Sequence, residues 1–106
     1  MRKLPHDLRA ERRRAGLSQF DIAHLLGRHV SKVSRYEQLR RLPNLETALA
    51  YEVILGKPVA ILFRGTYGRI FQTVVRRARR LQRRAGTSTR DGSFALRKRS
   101  ISAIFS

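Results

Sequence analysis

A chain of 106 residues with a hydrophobic fraction of 42% has room for one packed domain and an appendage, which excludes a wholly disordered protein. It contains no cysteine, which excludes disulfides and thiolate zinc sites and points to a reducing, cytoplasmic setting. The formal net charge is +17, from 24 Lys and Arg against 7 Asp and Glu, and self-repulsion of that size calls for a polyanionic partner.

Nucleic acid is the first candidate polyanion, because Lys and Arg displace the counterions condensed on its phosphates. An anionic membrane surface is the second. No apolar run approaches the roughly 20 residues that span a bilayer. Residues 1–10 lack the apolar core of a signal peptide. The charge is uneven. Residues 1–63 hold 12 basic and 6 acidic side chains, whereas residues 64–106 hold 12 basic ones and a single acid, Asp91. The first part reads as a folded domain, the second as a segment that leans on a partner.

In chain order, Pro5 or Asp7 can start a first helix that carries Leu8, Glu11, Arg12 and Ala15 and stops at Gly16. Ser18 is an N-cap for a second helix, with Asp21 three residues on. Ile22, Ala23, Leu25 and Leu26 form its one-sided stripe, and Gly27 ends it. A third, short helix covers residues 30–37, with Val33 and Tyr36 inward and Ser31, Lys32, Ser34 and Arg35 outward. Residues 38–43 form a loop. Asn44 caps a fourth helix with Leu45, Leu49, Val53 and Ile54 inward and Gly56 as its stop. Pro58 opens a fifth over residues 59–63. Residues 66–85 form a sixth helix after a hinge at Gly65-Thr66-Tyr67-Gly68. Its Tyr67, Phe71, Val74, Ala78, Leu81 and Ala85 keep a coiled-coil-like spacing, and arginines fill the remaining surface. Residues 87–106 are basic and rich in Ser and Thr. Residues 101–105 suit a short strand or a docking segment, and the rest of that tail suits a disordered arm.

The decisive text is Leu17-Ser18-Gln19-Phe20-Asp21-Ile22-Ala23-His24-Leu25-Leu26-Gly27, then Ser31-Lys32-Val33-Ser34-Arg35-Tyr36-Glu37. A capped helix, a turn containing glycine and a second short helix make a helix-turn-helix. Ala23 lies where two helices cross closely. Gly27 takes positive φ without a Cβ penalty. Val33 anchors the second helix so that its opposite face can enter a major groove.

Leu17-Ser18-Gln19, Ile22-Ala23, Leu26-Gly27, Ser34-Arg35-Tyr36-Glu37, Arg41-Leu42-Pro43, Leu45-Glu46-Thr47, Leu55-Gly56 and Ile61-Leu62-Phe63 together resemble the phage-repressor and Cro type of helix-turn-helix, the XRE-like family. The resemblance covers residues 8–63. It implies an all-α fold, a five-helix lambda-repressor-like DNA-binding domain over residues 1–64. A basic amphipathic helix would follow over residues 65–86, for dimerisation or as a clamp on the DNA backbone, and then the tail over 87–106. It also implies roles by position. Val30, Ser31 and Arg35 match positions that face base edges, flanked by Lys32. Gln19 contacts a phosphate and buttresses the reading helix. Arg12 and Glu37 match a structural salt bridge. Arg40 and Arg41 read phosphate. Arg28, where this chain departs from the family, adds a phosphate contact that the family normally lacks. The family usually carries Gly where Leu39 stands, and Val-Ser where this chain has Arg28-His29.

Phe71, Val74, Ala78 and Leu81 are the candidate dimerisation residues, since a two-fold operator needs a two-fold protein; the same stripe could instead pack on its own chain. The expected function is a sequence-specific double-stranded DNA-binding regulator, a homodimeric repressor of bacterial, phage or mobile-element origin. It would need no cofactor, bind no metal and touch no membrane. His6, His24 and His29 lack metal-ligand spacing, and the scattered carboxylates make no acid–base pair, so no enzyme is expected. The alternatives are an antitoxin that also binds a toxin, a sequence-indifferent RNA-binding or nucleoid-type protein, and an anti-activator that binds a regulator and ignores DNA.

Overall fold

The computed structural model describes residues 7–85 and 93–105, and every element among them is helical. The helices are α1 (Leu8–Arg14), α2 (Gln19–Leu26), α3 (Val30–Glu37), α4 (Leu45–Leu55), α5 (Val59–Leu62), α6 (Arg64–Ala85) and α7 (Ser93–Ala103). None is long and apolar enough to cross a membrane. The chain divides into two compact units, Met1–Tyr67 and Gly68–Ser106.

Local chemistry sets the ends of the first helices. Ser18 Oγ accepts the Asp21 N–H at 3.0 Å, and the Asp21 carboxylate accepts the Ser18 N–H at 2.8 Å, a complete capping box. Those hydrogen bonds hold the Asp21 carboxyl below its usual range. Asn44 Oδ1 caps α4 through the Thr47 N–H at 2.9 Å. Three successive helices then end in one motif, in which a left-handed residue lets two backbone N–H groups turn back onto the last-turn carbonyls. Gly16 and Gly27 supply the left-handed residue after α1 and α2, at φ 73° and 66°. After α3 the same place is taken by Leu39 at φ 58°, with Leu39 N–H on the Tyr36 carbonyl at 3.2 Å and Arg40 N–H on the Arg35 carbonyl at 2.9 Å. A side chain in this region costs about 1–2 kcal/mol.

The core of the first unit joins Leu8 of α1, Ile22 and Ala23 of α2, Val33 and Tyr36 of α3, Ala48 and Tyr51 of α4, Leu62 of α5 and Phe63. Tyr51 is its centre. Its ring meets Tyr36 edge-on at 6.3 Å and Phe63 edge-on at 6.2 Å. Burial pushes the Tyr51 phenol well up, and its hydroxyl finds no hydrogen-bond partner. The ends of the unit are tied as well. The Asp7 N–H reaches the Leu62 carbonyl at 3.0 Å, Asp7 pairs with Arg64 at 3.4 Å, and the Glu52 carboxylate accepts the Val59 N–H at 2.9 Å.

Four expectations are corrected. In α4 the buried face is Thr47, Ala48 and Tyr51, whereas Leu45, Leu49 and Val53 stand 72%, 48% and 83% exposed. This helix is apolar on both sides, so periodicity could not choose between its faces, and the ring contacts of Tyr51 decided. Leu25 of α2 is likewise exposed. Gly65 to Gly68, expected as a hinge outside a helix, are helical within α6, whose Tyr67 N–H bonds the Phe63 carbonyl at 2.8 Å, and the boundary between the two units falls between Tyr67 and Gly68. Finally, residues 93–103 are helical where a disordered arm and a terminal strand were expected. Ile101 becomes the buried position of α7, and residues 86–92 and 106 lie outside the described residues.

Within the second unit, Val75 and Ala78 of α6 are buried, and the Arg79 guanidinium lies 5.7 Å from the centre of the Phe105 ring.

Two stability measurements follow from this packing. Leu39→Gly should raise unfolding stability by about 1 kcal/mol by relieving the left-handed strain, and Gly27→Ala should lower it by about the same. No atom crowds a Cβ at Gly27, so the loss there would report backbone strain alone. Tyr51→Phe should stabilise by about 1 kcal/mol, because it removes a buried hydroxyl without a partner and keeps both ring contacts. Urea titration of each variant checks both; a loss of stability in Tyr51→Phe would mean that the hydroxyl is satisfied in solution.

Candidate nucleic-acid interface

The geometry of α3 begins with one carboxylate. Glu37, in its last turn, accepts Arg12 Nε at 2.6 Å on Oε2 and Arg12 Nη2 at 3.1 Å on Oε1, a bidentate pair. Gln19 Nε2 donates to the same Oε1 at 3.1 Å. Arg12 Nη1 donates to the Leu17 carbonyl at 3.0 Å. One node therefore joins α1, the turn after it, the first residue of α2 and the end of α3. The Arg12 and Glu37 side chains are only 11% and 3% exposed. The hydrogen bond to Glu37 raises the Arg12 pKa further despite its burial.

The opposite end of α3 is set by His29. Its Nδ1 accepts the Ser31 N–H at 3.1 Å and lies 2.9 Å from Ser31 Oγ. An acceptor Nδ1 belongs to the neutral imidazole that carries its proton on Nε2. His29 thus caps the helix although it is not one of the usual cap residues. Between the two ends, Val33 and Tyr36 are buried, so the face bearing Ser31 and Arg35 points outward.

The expected contact residues fall into distinct places. Ser31 and Arg35 are exposed and Lys32 is half-buried. Arg28 in the turn, and Arg40 and Arg41 beyond α3, are exposed. Gln19 is half-buried and spends one amide N–H on Glu37, which leaves its second N–H for an outside acceptor. Val30 is half-buried and packs against the core cluster at the first turn of α3. Ala78, expected in a dimer seam, is 5% exposed within the single chain. Phe71, Val74 and Leu81 are exposed.

Charge follows from the same arrangement. Between Asp21 and Glu46 the only acid is Glu37, while Arg28, Lys32, Arg35, Arg40 and Arg41 bring five cations. Glu37 is turned inward onto Arg12 and does not offset them. The outer side of the α2–α3 pair and its following loop is therefore a positive surface with polar side chains at its centre, suited to phosphate and base-edge contacts. Among the described residues, no cluster of three or more His, Asp or Glu is placed to hold a metal ion.

Sequence reasoning placed His29 as a weak cap and Gln19 as a buttress of α3, but did not name Glu37 as the acceptor of the Gln19 amide. It missed the turn made by Leu39. The signal for that turn was present as an odd residue where the resemblance implies glycine, but a leucine does not itself announce positive φ.

A family described as a helix-turn-helix domain matches residues 4–59. The chain belongs to this helix-turn-helix family. The match spans α1 to α4 and reaches the first residue of α5, so it includes the whole Arg12–Glu37–Gln19 node and all of α3. No curated protein and no solved structure matches the chain.

Removing one partner of a buried pair leaves an uncompensated charge, so Glu37→Gln should destabilise the protein by about 3 kcal/mol. Replacing both, Arg12→Met with Glu37→Leu, should recover much of that loss. Thermal denaturation of the two variants tests this. A double variant no more stable than Glu37→Gln would show that the uncompensated Arg12 charge is not what costs the stability.

Proposed function

We propose that this helix-turn-helix protein is a sequence-specific duplex-DNA-binding transcriptional regulator that acts as a repressor, in the XRE-like, lambda-repressor-like branch, with α1–α5 as its reading domain over residues 1–64. The observation that carries the reading is the outward, positively charged face of α3, fixed at one end by the Glu37 node and at the other by His29. In this reading α3 lies in the major groove. Arg35 donates two hydrogen bonds to guanine O6 and N7. Ser31, whose hydroxyl lies 2.9 Å from His29 Nδ1, contacts a base edge through the same oxygen. Lys32 flanks these contacts, and Val30 sets the height of the first turn. Gln19, Arg28, Arg40 and Arg41 bind phosphates and fix the register without reading sequence. The left-handed turn at Leu39 directs the chain into the loop that presents Arg40 and Arg41.

The protein acts as a homodimer, with two copies of α3 about 34 Å apart on a palindromic operator. The exposed Phe71, Val74 and Leu81 of α6 support such pairing. A second reading has its own support. The exposed apolar row Leu45, Leu49 and Val53 on α4 lies beside Glu46 in a segment, residues 42–56, without a single Lys or Arg. A protein partner, such as a toxin or another regulator, would find there the one acidic, apolar stretch of a basic chain.

Selection of bound sequences from random duplex DNA at physiological salt, followed by shift assays, tests the proposal. The selected sequences should show inverted half-sites about 10–10.5 base pairs apart. Arg35→Ala should lose about 1–3 kcal/mol of discrimination at one guanine position while its binding to random duplex is preserved. Unchanged specificity in Arg35→Ala would remove α3 as the reading helix.

A further inference from the structure

The second unit poses its own electrostatic problem. Residues 68–106 carry eleven Lys and Arg and one acid. In α6, Arg69 and the six arginines from Arg76 to Arg84 are all exposed. At 3.6 residues per turn these seven fall within about 160° of the helix circumference, and the large apolar residues take the other side. No acidic residue occurs within α6 itself. Like charges at i, i+4 spacing, such as Arg76, Arg80 and Arg84, repel one another, and the helix is stabilised by whatever anion lies along them.

The density of this charge says which anion. Six guanidiniums between Arg76 and Arg84 occupy about 12 Å of helix axis, one per about 2 Å. Duplex DNA carries one phosphate per about 1.7 Å of its axis. Arginine, used here to the exclusion of lysine between residues 58 and 97, is also the side chain whose fork matches phosphate oxygens. Arg77, Arg80 and Arg84 moreover line, with Leu81, one surface concavity of about 340 Å³, into which phosphate oxygens can enter. Arg79, at the margin of the arc, is held over the Phe105 ring and helps to fix the C-terminal end of the chain against this helix. A lipid surface fits less well. Val75 and Ala78 on the apolar side of α6 are buried, so only part of that side is exposed for insertion into a membrane.

We propose that the arginine face of α6, centred on Arg77, Arg80 and Arg84, is a second nucleic-acid-binding surface that grips the phosphate backbone without reading sequence. The choice of nucleic acid as its occupant rests on the DNA-binding reading of α3, but the face acts through its own residues. It supplies affinity and α3 supplies discrimination.

The test compares the full-length protein with the triple variant Arg77→Gln/Arg80→Gln/Arg84→Gln, and with the triple Lys variant at the same positions, on a fixed random-sequence duplex between 50 and 200 mM salt. Helical content from circular dichroism serves as the folding control. Each lost phosphate contact lowers the log–log salt slope by about 0.9, so the Gln variant should lose about 2.7 of slope. Its affinity loss across that salt range should be about 40-fold smaller than that of the wild type. The Lys variant should retain the wild-type slope. On a selected operator the Gln variant should weaken by the same factor as on random duplex. An unchanged slope in a folded Gln variant overturns the proposal. So does weakened binding to vesicles of phosphatidylserine and phosphatidylcholine with an unaltered duplex slope, which would assign the face to membranes. If no operator is selected but the slope still falls, the reading of α3 fails and this face stands; if Arg35→Ala abolishes discrimination but the slope is unaltered, this face fails alone.

Discussion

The buried ion pair between Arg12 and Glu37 is the constraint on which the reading face depends. A short helix of eight residues has little stability of its own, and its direction must come from packing and from what its ends are bonded to. Val33 and Tyr36 press one side of α3 into the core, but two apolar contacts on one side leave it free to slide and tilt. A bidentate guanidinium–carboxylate pair removes that freedom, because both hydrogen bonds are directional and the site is dry. Gln19 and the Leu17 carbonyl share the same node, so the start of α2 and the end of α3 are held to one arginine on α1. The node also takes the local acid out of the surface field, and the cations around α3 then face outward without an opposing charge.

The turns that connect these helices continue the same logic with unequal materials. Among the described residues three of the four left-handed positions are glycine, and the fourth, at Leu39, forces a leucine into the conformation. Strain of that kind persists only where the surroundings over-determine the backbone. Here the Glu37 node lies two residues before it, and the Arg40 N–H bond to the Arg35 carbonyl lies one residue after. The strained turn therefore sits between the reading helix and the loop that carries Arg40 and Arg41. His29 plays the matching part at the other end, where its Nδ1 caps the helix through the Ser31 N–H and lies beside the Ser31 hydroxyl.

The charge is divided between two units with different local chemistry. In the first, acids and bases are mixed, and carboxylates such as Asp7, Glu37 and Asp21 have structural partners. In the second, eleven basic residues stand against one acid, and helical periodicity arranges the α6 arginines on one face. In the proposed reading such a face is indifferent to base sequence, whereas α3 presents few charges at fixed positions. The two surfaces would then separate strength of attachment from selectivity.

Much of the reading half was legible in the amino-acid sequence because it is encoded by local chemistry. Ser18 with Asp21, Asn44 with Thr47, and glycine at 16, 27 and 56 place helix ends within a few residues, where one side chain meets its own neighbouring backbone. The outward position of Ser31 and Arg35 follows from the inward pair Val33 and Tyr36 at a spacing of three. The pairing of Arg12 with Glu37 was accessible only through resemblance, since nothing local links residues 25 apart. Tertiary structure alone decided the rest. It chose which apolar side of α4 is buried, because Thr47, Ala48 and Tyr51 meet partners there and Leu45, Leu49 and Val53 do not. It drew Val30 onto the core and Ala78 into the second unit, and it formed a helix around buried Ile101 where composition suggested a loose arm. In each case the free energy lies in contacts between residues distant in the chain, and these have no signature in local spacing.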